Sequence, residues 1–214
     1  MPSAPPFNSD DLQALAALVE TTAAQQLMPR FRRLQADQVQ AKTSDFDIVT
    51  EADEATEACL TQALRQRFPD AVLIGEEAAG RDPTLLARIE HTPLVLLIDP
   101  LDGTKNFASG LPLFGVMVAG VRHGEVTASL IHDPITCSTA LALAGAGAWM
   151  READGSQRTL RVAPAVALEK IEGIAGTNFL PEPTRSTVNR NLSRLMPWDH
   201  AAGWHQIRDA LLTP

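Results

Sequence analysis

Apolar side chains recur at helical spacing near the start of the chain: Leu12, Leu15, Ala16, Val19, Ala23 and Leu27 share one face behind Asn8 and Ser9, either of which can cap. That pattern predicts a first helix. A second helical pattern covers residues 51–68, with Ala55, Cys59, Leu60, Ala63 and Leu64 facing inward and Pro69 ending it. Residues 71–74 and 94–98 are apolar runs of strand length, the second suited to burial on both faces. The polar stretch 80–91 between them predicts a short helix around Leu85. Residues 113–122 and 125–133 alternate as two arms of a hairpin about His123-Gly124. Residues 138–150 read as further strand, bent where Gly145 and Gly147 weaken pairing. A turn over 153–157, a strand over 171–177 and helices over 181–195 and 199–212 complete the pattern, with no internal repeat and no low-complexity linker.

Candidate chemistry gathers at element boundaries. The run Leu96-Leu97-Ile98-Asp99-Pro100-Leu101-Asp102-Gly103-Thr104-Lys105-Asn106-Phe107 leads a buried strand into two carboxylates, a glycine and a hydroxyl. Pro100 is expected to stop the ladder, so that Asp99 and Asp102 converge where the chain turns. Hard divalent cations take several oxygen ligands of this kind. Gly103 lets the backbone approach a ligand closely, and 104–107 can open a helix whose N–H groups face an anion. Taken alone, Asp-Pro-x-Asp-Gly favours a plain turn after a strand, since Asp, Pro and Gly are the usual turn formers. Phe46-Asp47-Ile48-Val49-Thr50-Glu51-Ala52-Asp53, Ile74-Gly75-Glu76-Glu77 and Trp198-Asp199-His200-Ala201-Ala202-Gly203 place more carboxylates at other boundaries.

Four of these motifs, in this order, resemble the inositol monophosphatase family of magnesium-dependent, lithium-sensitive sugar and inositol phosphatases: Asp47-x-Val49-Thr50-x-x-Asp53, Gly75-Glu76-Glu77, Asp99-Pro100-Leu101-Asp102-Gly103-Thr104 and Trp198-Asp199-x-Ala201-Ala202-Gly203. Lys42 matches a lysine that the family places near an outer metal. The resemblance implies an α+β fold, a layered α-β-α-β-α sandwich, with the metal site between two halves of a single catalytic unit. The approximate halves are 1–150, with most of the metal site, and 151–214. It implies two to three Mg²⁺ ions. Asp99 would bridge two of them, with Glu76 and the Leu101 carbonyl completing one and Asp102 and Asp199 the other. Glu76 would also hold a weaker third ion with its attacking water, which Thr104 and Asp53 would polarise. Gly103 and Thr104 would offer N–H groups to the phosphate, and Asp199 would contact substrate.

Other residues take plainer readings. Glu77 reads as an orienting carboxylate outside the ligand set, Asp47 as a turn or cap, and Lys42 as a solvated charge unless the third ion exists. Trp198 reads as a core plug fixing Asp199. His91, His123, His132, His200 and His205 show no ligand spacing. Lys105 departs from the threonine usual in inositol monophosphatases and is similar to the Gly-Thr-Lys of the adenosine bisphosphate phosphatases.

The 214 residues, 45% hydrophobic, can bury a sizeable core. A net charge of −8 argues against a nucleic-acid partner. Cys59 and Cys137 read as buried thiols and not a disulfide. No leader pattern or bilayer-length apolar run stands out, so a cytoplasmic location with no membrane partner is expected. The expected activity is hydrolysis of inositol monophosphate or a similar small phosphate ester, and a homodimer is expected from the resemblance. The alternatives are a 3'(2'),5'-bisphosphate nucleotidase, a fructose-1,6-bisphosphatase, or a catalytically silent metal-binding relative. The third is raised by the junctions 195/196 and 203/204, where the family pattern skips a substrate-selecting strand and helix and then a further strand. Residues of an uninterrupted natural chain are expected to be missing at both.

Overall fold

The computed structural model describes residues 7–44, 47–166, 176–177 and 180–195. The chain divides into two compact units, Met1–Val162 and Ala163–Pro214. In the first, Asn8 caps α1 (Ser9–Thr22) through a reciprocal pair with Asp11, and a π-helical turn, Ala23–Leu27, continues it. A hairpin of β1 (Val39–Ser44) and β2 (Asp47–Thr50) leads into α2 (Glu51–Arg67). Then follow β3 (Val72–Gly75), α3 (Glu76–Arg81), a 3₁₀ turn at Pro83–Arg88, β4 (Val95–Asp102) and α4 (Thr104–Ala108). Five strands close the unit: β5 (Gly115–Arg122), β6 (Glu125–Asp133), β7 (Ser138–Leu143), β8 (Gly147–Arg151) and β9 (Gln157–Thr159). The described part of the second unit contains α5 (Thr184–Leu195), with Glu182 accepting from Ser186 Oγ at 2.7 Å beside its first turn.

Strands β3 to β9 form one seven-stranded sheet in sequence order, parallel between β3 and β4 and antiparallel elsewhere. Alternation along β4 sends its side chains to two cores. Leu96 and Ile98 join Leu12, Leu15, Val19, Leu60 and Leu64 under α1 and α2, whereas Val95 and Leu97 meet Ile74, Val121, Leu85 and Ile89 under α3 and the 3₁₀ turn. The hairpin between β5 and β6 turns at His123 and Gly124, with φ of +49° and +83°, the twist that suits a two-residue connection.

Several expectations change. Pro100 does not end β4: Asp99 pairs with Met117 and Asp102 with Gly115, so Pro100 and Leu101 bulge past the single residue Val116 and the strand reaches Asp102. The buried face of α2 is Ala52, Asp53, Thr56, Glu57, Leu60 and Leu64, and Ala55, Cys59 and Ala63 lie only at its margin. The cap of α2 is Thr50, and Asp47 instead starts β2. Residues 138–150 are two strands, β7 and β8, separated where a bend was expected. Cys137 is exposed, though both cysteines are free as expected. The strand expected over 171–177 and the helix over 199–212 lie largely or wholly outside the described residues, as do Trp198, Asp199, His200, Ala201, Ala202, Gly203 and His205 and the junctions 195/196 and 203/204.

Candidate active site

The parallel pair β3/β4 ends with Gly75 beside Ile98, so α3 starts next to the β4 bulge. Each delivers carboxylates: Glu76 and Glu77 from α3, Asp99 and Asp102 from β4. Asp99 is half-buried. Burial, with Glu76 and Asp102 close by, pushes its pKa up to about 7. Three acids crowded in this way favour a cation among them, and Glu76, Asp99, Asp102 and the Leu101 carbonyl are all hard oxygen donors suited to a divalent ion. Among the described residues no group of three or more His, Cys, Asp or Glu side chains is arranged to hold a metal ion as it stands. Glu76 is instead turned to Lys42, whose Nζ donates to it at 3.0 Å and to Glu77 at 2.6 Å.

Lys42 is therefore not a solvated charge. Burial opposes its charge, but the hydrogen bonds to Glu77 and Glu76 outweigh that and raise its pKa. Glu77, nearly buried, has its own pKa raised by burial against the pull of Lys42.

On the other side of the bulge stands Thr104, the first residue of α4. Its Oγ1 lies 2.9 Å from Asp53 Oδ1 and 2.9 Å from the Leu101 carbonyl. Asp53 Oδ2 accepts from the Thr50 amide at 2.8 Å and the Thr50 hydroxyl at 2.6 Å, so the capping box of α2 fixes the carboxylate that meets Thr104. Burial raises the pKa of Asp53 against the pull of its hydrogen bonds from Thr50 and Thr104. Leu101 N donates to Asp99 Oδ1 at 3.1 Å, tying the bulge to its own carboxylate.

Gly103 has φ +86°, and a Cβ there would meet the Leu113 carbonyl at 2.7 Å. The close approach that glycine permits here is to the chain's own backbone. Phe107 on α4 packs edge-on to Phe114 at 4.9 Å and against Phe31 at 5.5 Å, anchoring the helix that carries Thr104.

Glu76, Asp99, Leu101 and Asp102 thus meet at the ends of β3 and β4, with Asp53, Gly103 and Thr104 adjoining them. Asp199 lies outside the described residues. Sequence reading missed Thr50 as the cap, and missed Glu57, whose carboxylate accepts from the amides of Glu77 and Ala78. The signal for Glu57 was its place one helical turn after Asp53, on the same face.

The model of the "Inositol monophosphatase family" matches residues 8–191. A Thermotoga maritima protein named fructose-1,6-bisphosphatase/inositol-1-monophosphatase is 33% identical over 201 residues, covering 81% of this chain and 73% of that protein. The Nus factor SuhB of Pseudomonas aeruginosa is 31% identical over 182 residues, covering 85% of this chain and 62% of that one. The solved Thermotoga maritima IMPase superposes with a TM-score of 0.62 at 31% identity, covering 75% of this chain but only 56% of its own. Its likeness agrees with the α+β fold of helices on a large mixed sheet. The matched span holds every described residue of the carboxylate cluster, and the chain belongs to the inositol monophosphatase family, a family of phosphatases.

Proposed function

We propose that the protein is a Mg²⁺-dependent phosphomonoesterase that hydrolyses inositol monophosphate or a similar small phosphate ester. The observation that carries this reading is the crowding of Glu76 and Asp102 on Asp99 at the end of β4, an arrangement of acids that a divalent cation relieves. Glu76, Asp99, the Leu101 carbonyl, Asp102 and Asp199 are the groups that would hold the ions. Bound Mg²⁺ would supply charge to the phosphate oxygens and lower the pKa of water. The Thr104 hydroxyl donates to Asp53, which leaves its lone pairs free to accept from, and so orient, the attacking water. Gly103 and Thr104 would turn backbone N–H groups to the phosphate, with Asp199 on the alcohol. Lys42 would steady Glu76 and Glu77 until the ions bind.

A bisphosphate substrate is the second reading. It is favoured by Lys105, which follows Thr104 on α4 and places a cation one residue from the site, and by the double name of the Thermotoga relative. Phosphate release from a panel of sugar, inositol and nucleotide phosphates, assayed with Mg²⁺, separates the two: preference for inositol monophosphate supports the first, and preference for a bisphosphate the second. A homodimer is part of the proposal, and sedimentation showing a monomer at micromolar concentration would count against it. Among the described residues no helix is long and apolar enough to cross a membrane.

A further inference from the structure

We propose that Glu57 is a positioning residue for Glu76, reaching from α2 over Gly75 to lock the start of α3. Glu57 is buried, 6% exposed, on a helix face otherwise turned to the core. Its Oε2 accepts from the Glu77 amide at 2.8 Å and its Oε1 from the Ala78 amide at 3.0 Å. Both bonds fall on the turn that carries Glu76 and Glu77, so the carboxylate fixes the direction in which that turn leaves β3. Arg81, at the far end of α3, stands 3.9 Å from Oε1 and adds charge balance.

Gly75 makes the reach possible. Its φ of −88° is open to any residue, so backbone conformation does not require glycine there. Space does: a Cβ at position 75 would lie 2.2 Å from Glu57 Cδ and 2.3 Å from Oε2. The glycine of Gly75-Glu76-Glu77 is thereby explained by a carboxylate from another helix passing across it.

The same helix serves both sides of the site. Asp53 holds Thr104 beyond β4, and Glu57, four residues on, holds the turn beyond β3. One helical step of four residues rises about 6 Å, close to the roughly 4.8 Å between neighbouring strands. α2 therefore spans the parallel pair as a rigid bar and sets the spacing between the Thr104 hydroxyl and the Glu76 carboxylate. Residues that orient metal ligands typically change metal affinity or activity about 10- to 100-fold when altered. This inference rests on the reading of Glu76 as a metal ligand.

The test measures Mn²⁺ binding by electron paramagnetic resonance, together with the Mg²⁺ dependence of phosphate release, in Glu57→Gln, Glu57→Asp and Gly75→Ala. Glu76→Gln is the reference. Gln keeps the shape but puts an amide donor where one N–H must be accepted, Asp keeps the charge but falls short, and Ala collides. All three are expected to weaken Mn²⁺ binding about tenfold and to raise the half-activating Mg²⁺ concentration alike, with ester KM little changed and turnover recovered at high Mg²⁺. Glu57 variants that melt earlier yet bind Mn²⁺ as the parent does would overturn the proposal while leaving the site reading intact, provided Glu76→Gln binds weakly. Unchanged Mn²⁺ affinity in Glu76→Gln would overturn both.

Discussion

The Thr104 hydroxyl stands 2.9 Å from Asp53 Oδ1, joining the helix after β4 to the first turn of α2. A hydroxyl has one proton, and here two acceptors compete for it, Asp53 and the Leu101 carbonyl. With Leu101 O engaged by a cation, the hydroxyl would donate to Asp53 alone and turn its lone pairs outward as a directed acceptor.

Thr104→Ala should therefore lower turnover by roughly 10²- to 10⁴-fold with little change in ester KM. Asp53→Asn should do the same, and the double variant should lose little more than either single one. Steady-state kinetics on the four proteins checks this. Losses that multiply fully would deny that the two residues act as a unit.

Asp99→Asn removes the carboxylate that Glu76 and Asp102 crowd. Hydrolysis should be abolished and the fold kept. Because the repulsion goes with it, the metal-free variant should melt above the metal-free parent at neutral pH. A variant that turned over normally with Mg²⁺, or melted below the parent in EDTA, would contradict the role given to Asp99.

Much of this site was legible because it is built from residues with strong local preferences. Gly103 lies at φ +86°, and the helix at Thr104 begins where glycine and hydroxyl predict it. Other parts were hidden for physical reasons. Among the described residues the hairpin of β1 and β2 pairs only with itself, and its short strands carry no strong apolar alternation. The inward stripe of α2 was misplaced because that face spends Asp53, Thr56 and Glu57 on hydrogen bonds, and a hydrophobic count passes over them. The bulge at Pro100 follows from the pairing of β4 with β5, a contact that adjacent residues do not encode.

His132 gives a pH dependence away from the carboxylate site. It is buried, and its Nδ1 lies 3.0 Å from Thr139 Oγ1, which donates to Glu20 at 2.7 Å. Burial lowers its pKa, Arg151 adds to the lowering, and Glu20 and Asp133 oppose it. The unfolded chain takes up the proton near pH 6.5 while the folded chain resists. Stability is thus present above that pH and lost as pH falls through 6.5 toward the lower folded value. Melting curves between pH 7 and 5 should fall more steeply for the parent than for His132→Asn. Parallel curves would refute it.

Lithium should inhibit hydrolysis. The expected ligands Glu76, Asp99, Asp102 and Asp199 are all oxygen donors, and a small monovalent ion can enter such a set without supplying the second charge. Inhibition should grow with Li⁺ at fixed Mg²⁺. Hydrolysis that stayed insensitive to added Li⁺ would count against the ligand set.

The central claim is that a divalent cation among these carboxylates drives ester hydrolysis. Phosphate release from inositol monophosphate, followed after exhaustive EDTA treatment and then on stepwise return of Mg²⁺, tests it most directly. The account predicts no release in EDTA and recovery that saturates with Mg²⁺. Full activity surviving in EDTA, or none at any Mg²⁺ concentration on any ester of the panel, would contradict it.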